Sequence, residues 1–250
     1  MKIYVITSNK YTRSLCPPNI HFLNKYWPNQ QISIVGYEDV NKLTDLPSNV
    51  ETVCLGKQNE FGKMWTNALI PYFETVAEDY FVIMLDDHFL LGPVDFSKMN
   101  IVENWVKEGK ADKAMIGGGI PLYLSRKISE NMLLFDQHID YRTSLHPAIW
   151  KKSYFLKYLK PNMTSWDFEI KNNAEARGDG AKIINFHYKY PAQPHLFSCF
   201  ELCNKGEFTI NEKGEFLTNQ PGENFFAKED IMYIWNQINK PIQYYRGDRK

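Results

Sequence analysis

The chain has 250 residues, 44% of them hydrophobic, which supplies one sizeable core or a core with an appendage. Lys plus Arg and Asp plus Glu are equal at 29 each, so no long-range field draws in nucleic acid or an anionic membrane. No stretch approaches the ~20 apolar residues of a membrane span, and Cys16, Cys54, Cys199 and Cys203 show no CxxC or zinc-finger spacing, which suits reduced thiols in a cytoplasmic setting.

Residues 2–7 predict a strand rather than a signal peptide, because the apolar part is short and runs straight into the polar loop 8–10. Residues 14–27 predict a helix broken early by Pro17-Pro18, followed by strands at 31–37 and 50–55. Gly62 leads into a helix over 63–76, where Met64, Trp65, Ala68, Leu69, Tyr72 and Phe73 fall at helical spacing and Pro71 predicts a kink. A strand at 81–85 completes a β-α-β-β-α-β order, the pattern of an α/β sheet with crossovers. Beyond it, the pattern predicts helices at 100–110, 152–159 and 165–177, the last capped by Ser165. Strands are expected at 113–116 (followed by Gly117-Gly-Gly119), 144–150 and 182–186. Segments 207–210 and 215–217 flank Asn211-Glu-Lys-Gly214 as a hairpin, 230–238 reads as a terminal helix, and the basic tail from Arg246 as frayed. Without repeats or a low-complexity linker, the expected organisation is one α/β domain over 1–205 with a hairpin-and-helix extension over 206–250 packed on it.

The stretch Tyr80-Phe-Val-Ile-Met-Leu-Asp-Asp-His-Phe-Leu-Leu91 is the most informative. Six apolar or aromatic residues in a row suit a strand buried on both faces. Two carboxylates and an imidazole where such a strand emerges are costly unless something binds them, and ligands of open α/β sheets sit at strand carboxyl ends. On an extended segment Asp86 and His88 share a face and together suit Mn²⁺ or Mg²⁺, with Asp87 turned elsewhere. The plainer reading is a solvated turn capped by Asp side chains. His187, His195 and His146 are candidates to complete a metal shell or are ordinary structural histidines.

Three further clusters lie at expected strand ends or helix starts. Thr7, Ser8, Asn9, Tyr11 and Arg13 offer short polar side chains, a ring and a guanidinium suited to a base, ribose and phosphate, or form a capped turn. Gly62, Lys63 and Trp65 open a helix whose positive end attracts an anion, although the spacing is not that of a P-loop and Trp65 also suits a core. Asp167 and Glu169 open another helix, either to satisfy its dipole or as a general base beside an aromatic platform, Trp166.

Taken in order, these parts resemble GT-A-type nucleotide-sugar glycosyltransferases of the small bacterial, phage and large-DNA-virus kind. Asp86-Asp87-His88 stands where that family has its DxD motif, and Trp166-Asp-Phe-Glu169 where it has an acidic segment that often holds the base. Ser144-Leu-His-Pro-Ala-Ile-Trp150 adds to the likeness, which covers residues 1–205. His88 departs from the usual Asp, as in the DxH variant of polypeptide N-acetylgalactosaminyltransferases.

The resemblance implies a GT-A-like (Rossmann-like) mixed, mostly parallel sheet flanked by helices. It implies a UDP-, GDP- or dTDP-linked sugar donor, a glycan or glycoconjugate acceptor and a divalent metal, Mn²⁺ or Mg²⁺, held by Asp86, His88 and His187. Thr7, Ser8, Tyr11, Arg13, Lys63, Trp65, Asp86 and Asp87 would hold the donor nucleotide, and Arg142, Ser144, Trp150 and Trp166 the acceptor or sugar. Asp167 or Glu169 would take the acceptor proton for inverting transfer. The rival readings are a nucleotidyltransferase, whose Gly-rich first loop is missing from residues 7–10, and a non-catalytic sugar-nucleotide or glycan-binding relative.

Overall fold

A computed structural model describes residues 1–117, 124–186, 197, 199–204, 207–217 and 226–245. Strand β1 (Lys2–Ile6) pairs in parallel with β2 (Gln31–Gly36) on one side and with β4 (Tyr80–Leu85) on the other, and β2 pairs in parallel with β3 (Val50–Cys54). The strand order therefore reverses direction at β1. In open α/β sheets that is where a crevice opens outside the strand carboxyl ends. Register sharpens the point: Ile6 lies opposite Leu85, so Thr7 and Asp86 leave the sheet side by side.

The sheet continues past β4 through β9 (Ala148–Lys151), β6 (Lys113–Met115), β10 (Ile183–Phe186), β8 (Met132–Phe135) and β7 (Ser125–Ser129), nine strands among the described residues. Strand β9 runs antiparallel to both β4 and β6, and β8 antiparallel to β10 and β7, while β6 and β10 are parallel. The result is the mixed, mostly parallel sheet that the sequence predicts.

Both faces are covered, as the unbroken apolar runs require. Ile3, Val5, Val82 and Met84 face one cluster with Leu23 of α1 (Asn9–Tyr26), Trp27 just after that helix and Val102 of α4 (Phe96–Lys107). Tyr4, Ile6, Phe81 and Ile83 face the other, with Phe73 of α3 (Trp65–Thr75), Phe155 of α5 (Lys152–Tyr158) and Phe168 of α6 (Ser165–Ile170). A third cluster joins Leu15 and Phe22 of α1 to Phe89 of β5 (His88–Leu90), Phe200 of β11 (Cys199–Glu201) and Ile231, Ile234 and Ile238 of α8 (Lys228–Tyr245). Helix α8 is pinned to α1 through buried Asp230, which accepts from Lys25 at 2.7 Å and from the Tyr26 hydroxyl.

Several expected boundaries move. Helix α1 runs unbroken through Pro17 and Pro18, and α3 through Pro71. In α1, buried Leu15, Cys16, Ile20, Phe22 and Leu23 give enough packing to outweigh the lost backbone bonds. The helix expected over 165–177 is two short ones, α6 and α7 (Asn173–Ala176). Buried Asn172 divides them: its side-chain amide donates to the Phe168 carbonyl at 2.9 Å and to the Tyr158 carbonyl at 3.0 Å. The cap of α6 is Thr164 rather than Ser165, through a reciprocal pair of 3.0 Å bonds with Asp167. The β7–β8 hairpin and β5 lie outside the sequence expectations. At the expected C-terminal hairpin, Ile210 bridges Phe216 across a turn with Gly214 at φ +69°. Residue 207 onward also pairs back: β13 (Glu207–Phe208) lies against β12 (Cys203–Asn204). The tail from Arg246 lies outside the described residues, and no described helix is long and apolar enough to cross a membrane.

Candidate functional site

A cleft of about 440 Å³ opens at the carboxyl ends of β1, β2, β3 and β4, at the reversal of strand order. Its lining includes Thr7, Ser8, Tyr11, Lys63, Trp65, Asp86 and Asp87, seven of the eight residues that the sequence assigns to the donor nucleotide. Arg13 is the exception: it is exposed on α1 and does not line the cleft. On α1 (Asn9–Tyr26), Asn9 and Arg13 share a face and Tyr11, two residues from each, lies about half a turn away, a distinction a loop expectation over 8–10 does not make.

The floor is built by two strand ends held together. Thr7 Oγ1 donates to Asp86 Oδ2 at 2.5 Å and shares a 3.1 Å contact with Thr12 Oγ1. Asn19 Nδ2 of α1 reaches up to the Asp86 and His88 carbonyls at 3.1 and 2.8 Å, fixing the turn between β4 and β5. Gly36 makes room for this corner, since a Cβ there would stand 2.7 Å from Thr7 Cγ2 and 2.8 Å from Val40 Cγ1. Burial, and then the neighbouring Asp87 charge, push the Asp86 carboxyl up to about 8, against the pull of the Thr7 bond.

The acidic triplet is arranged differently from the expected extended segment. Residues 86 and 87 form a tight turn, so alternation of faces fails there. Asp86 pairs with Thr7, while Asp87 Oδ1 lies 3.2 Å from His88 Nδ1. The contact is an ion-pair approach and not an aligned hydrogen bond: Asp87 Oδ1 and both ring nitrogens of His88 are buried without a hydrogen-bond partner. Burial opposes a charge on His88, but the Asp87 carboxylate overrides it and holds the imidazole above its ordinary value. The carboxylate beside the His88 ring is therefore that of Asp87, where the expected extended segment put Asp86.

Orphaned buried lone pairs on a carboxylate and an imidazole match the donor set of a divalent cation. Among the described residues, no group of three or more His, Cys, Asp or Glu is arranged to hold a metal ion. A two-residue set fits an ion that takes its remaining ligands from substrate phosphates and water. His187 and His195 lie outside the described residues.

Around His88 lie groups that sequence reasoning missed or undervalued. The His146 ring stands edge-on 5.1 Å away, and burial, with the His88 charge, pushes it down to about 3. Glu201 of β11 is in register opposite His88, and burial raises its carboxyl. Tyr37, Leu55 and Gln58 complete the cleft wall. Tyr37 follows the last residue of β2 as Thr7 follows that of β1, so the strand-end rule alone would have flagged it.

The two candidate bases separate clearly. Asp167 closes the capping box of α6 and pairs with Lys171 at 2.8 Å; the Lys171 bond, with the Thr164 bonds, pulls its carboxyl down to about 2. A carboxylate so held is a weak proton acceptor. Glu169, two residues on, accepts the Leu145 N–H at 2.6 Å and acts electrostatically on His88, Glu201 and Lys113. Neither carboxylate lines the cleft itself; Glu169 is the one whose charge acts on His88.

The expected acceptor residues divide similarly. Trp166 is 60% exposed at the start of α6, beside Thr164 and Ser165 of the cleft lip. Arg142, Ser144 and Trp150 are buried and do not line the cleft. Arg142 donates to the Asp136 and Ala181 carbonyls and pairs with Asp179 at 3.1 Å, so its guanidinium is occupied by structural partners. Trp150 forms core beneath buried Lys113, whose Nζ lies 4.0 Å from the ring centroid and donates to the Ser144 carbonyl at 2.7 Å.

No protein-family model matches this sequence, and no curated protein matches it. Solved structures do. A UDP-glucose pyrophosphorylase complexed with UDP-glucose superposes with a TM-score of 0.50 at 9% identity, over 96% of this chain and 99% of that one. A cytidylyltransferase from Leptospira borgpetersenii gives 0.49 at 9% identity, over 97% and 96%. S. aureus TarS 1–349 in complex with UDP-GlcNAc gives 0.49 at 12% identity, over 78% of this chain and 60% of that one, so the chain spans about three fifths of that TarS fragment. The pyrophosphorylase likeness, over nearly the whole of both chains, establishes the shared architecture, a GT-A-like (Rossmann-like) mixed α/β fold.

Proposed function

We propose that this chain is a nucleotide-sugar enzyme, and specifically a glycosyltransferase that moves a sugar from a nucleoside diphosphate to an acceptor hydroxyl. The observation that carries the reading is the cleft at the strand-order reversal, floored by Asp86 and Asp87 where β1 and β4 end in register. The pyrophosphorylase, complexed with UDP-glucose, shares this fold, which supports a nucleotide-sugar substrate class.

In this reading Tyr11, Tyr37 and Trp65 give aromatic walls for the nucleoside, and Lys63 gives a positive contact for the diphosphate. Asp87 and His88 are the residues that would hold a divalent ion, Mn²⁺ or Mg²⁺. Such an ion supplies Lewis-acid stabilisation of the charge on the departing diphosphate. Asp86, bonded to Thr7, keeps the turn in position and does not itself contact the ion. Glu169 is oriented by the Leu145 N–H and takes the proton of the acceptor hydroxyl, which gives attack opposite the leaving group and inversion. Trp166 offers an exposed ring on which an acceptor sugar stacks.

A sugar nucleotidyltransferase is the competing reading, favoured by the near-complete coverage of the pyrophosphorylase. Against it, the turn after β1 carries Thr7, Ser8, Asn9 and Lys10 and no glycine. Mass spectrometry of incubations with Mn²⁺ separates the two. A transferase releases nucleoside diphosphate from UDP-, GDP- or dTDP-sugars. A nucleotidyltransferase instead consumes a nucleoside triphosphate and a sugar phosphate and releases pyrophosphate. Release of pyrophosphate, with no nucleoside diphosphate from any sugar nucleotide, would overturn the transferase reading.

A further inference from the structure

The cleft has two chemically different ends. Strands β4 and β3 are three places apart in the sheet, about 14 Å at the usual strand spacing. The β4 end carries Asp86 and Asp87, while the residues that line the cleft beyond β2 and β3 are the uncharged Tyr37, Leu55 and Gln58. A nucleotide whose diphosphate lies toward Asp87 sets its base against Tyr37, Leu55 and Gln58.

Gln58 is held in one orientation. Its Oε1 accepts the backbone N–H of Asn9 at 2.8 Å, and its own N–H is fixed by Glu38 Oε2 at 2.7 Å. A backbone N–H requires an oxygen partner, so the amide does not flip and Nε2 is the end left over. Among the described residues nothing accepts from that nitrogen. The group that Gln58, a lining residue at this end of the cleft, leaves over is therefore a hydrogen-bond donor.

We propose that Gln58 selects the base of the bound nucleotide, favouring a pyrimidine with a 4-oxo group, uracil or thymine, over cytosine. The inference rests on the nucleoside-diphosphate reading of the cleft. With the ribose toward Asp86, the far edge of a pyrimidine is its C4 substituent. A 4-oxo group accepts the Gln58 proton; the 4-amino group of cytosine sets donor against donor and leaves both unpaired.

The test is calorimetric binding of UDP and CDP in Mn²⁺ to the wild-type chain and to Gln58→Glu. The variant keeps an oxygen for the Asn9 N–H but turns the free donor into an acceptor. Wild type should bind UDP at least about tenfold more tightly than CDP, and Gln58→Glu should abolish or reverse that order. Equal wild-type affinities to within about twofold, or a Gln58→Glu protein that keeps the UDP preference, would overturn the proposal. Glu38 and Glu60 lie close by, so a variant that fails to fold is replaced by a second probe on the wild type. The diphosphate of 2-pyrimidinone riboside, which lacks the 4-oxo group, should bind about tenfold more weakly than UDP; equal binding would count against the proposal. If wild type binds no nucleoside diphosphate at all, the reading of the cleft fails first, a result distinct from loss of base preference.

Discussion

Thr7 Oγ1 lies 2.5 Å from Asp86 Oδ2, so a side-chain hydrogen bond ties the carboxyl ends of β1 and β4 together at the floor of the cleft. The bond links the strand order of the sheet to the geometry of the acidic turn. It also puts a carboxyl in a place where burial outweighs the bond that Thr7 supplies.

That imbalance has a sign. The Asp86 carboxyl titrates near 8 when folded, against an ordinary value of 3.8. The folded state thus holds the proton more tightly than the unfolded chain, and stability from this group is full below the lower value and lost as pH rises toward the upper. In chelator, Asp86→Asn is expected to melt above wild type at pH 8, with the gap closing toward pH 4. Thermal melts across that range check it; a constant gap contradicts it.

Thr7→Val keeps the shape of the side chain and strips the donor. With the Asp86 oxygen left unsatisfied, a loss of about 1–3 kcal/mol in stability is expected, readable by urea unfolding. Gly36→Ala is expected to disturb the same corner from the other side, because the new methyl meets Thr7 and Val40. A Gly36→Ala protein as stable as wild type, with unchanged nucleotide affinity, would show that the corner yields freely.

Glu169→Gln and Asp167→Asn separate catalysis from capping. The first is expected to lower kcat by about 100-fold or more with donor affinity nearly unchanged, as for loss of a general base. The second is expected to lower the melting temperature and leave kcat close to wild type, because Asp167 is spent on Thr164 and Lys171. The reverse pattern in steady-state kinetics would reassign the base.

Arg142→Met is expected to act on folding alone. The Arg142 side chain is 0% exposed, and its loss takes a donor from the Asp136 and Ala181 carbonyls, while Asp179 keeps Lys157, the Tyr158 hydroxyl and the Ala181 N–H. A loss of about 1–3 kcal/mol is expected, readable by urea unfolding. A folded Arg142→Met protein of wild-type stability with a donor-affinity defect would return Arg142 to the site.

The sequence made the first half of the sheet legible because its strands are continuous apolar runs ended by polar clusters, as in 80–88. Seven of the eight residues expected to hold a donor line the cleft, because they were sought at strand ends and helix starts. That Arg142, Ser144 and Trp150 are buried away from the cleft lining was not legible, because burial of a polar or aromatic residue depends on tertiary partners: Asp179 lies 37 residues beyond Arg142 and is no local signal. Asp87 rather than Asp86 lies beside His88 because a tight turn replaces the extended backbone that alternation assumes. Gln58 carried no sequence signal, since its meaning comes from Asn9 across the cleft corner.

The central claim is that the cleft over Asp86 and Asp87 binds a nucleoside diphosphate. Isothermal titration of UDP into the wild-type chain and into Asp87→Asn, with and without Mn²⁺, tests it most directly. The account expects saturable, Mn²⁺-enhanced binding to wild type and a loss of about tenfold or more in Asp87→Asn. Absence of binding by UDP, GDP and dTDP up to about 1 mM, or Mn²⁺-enhanced binding unchanged in Asp87→Asn, would contradict it.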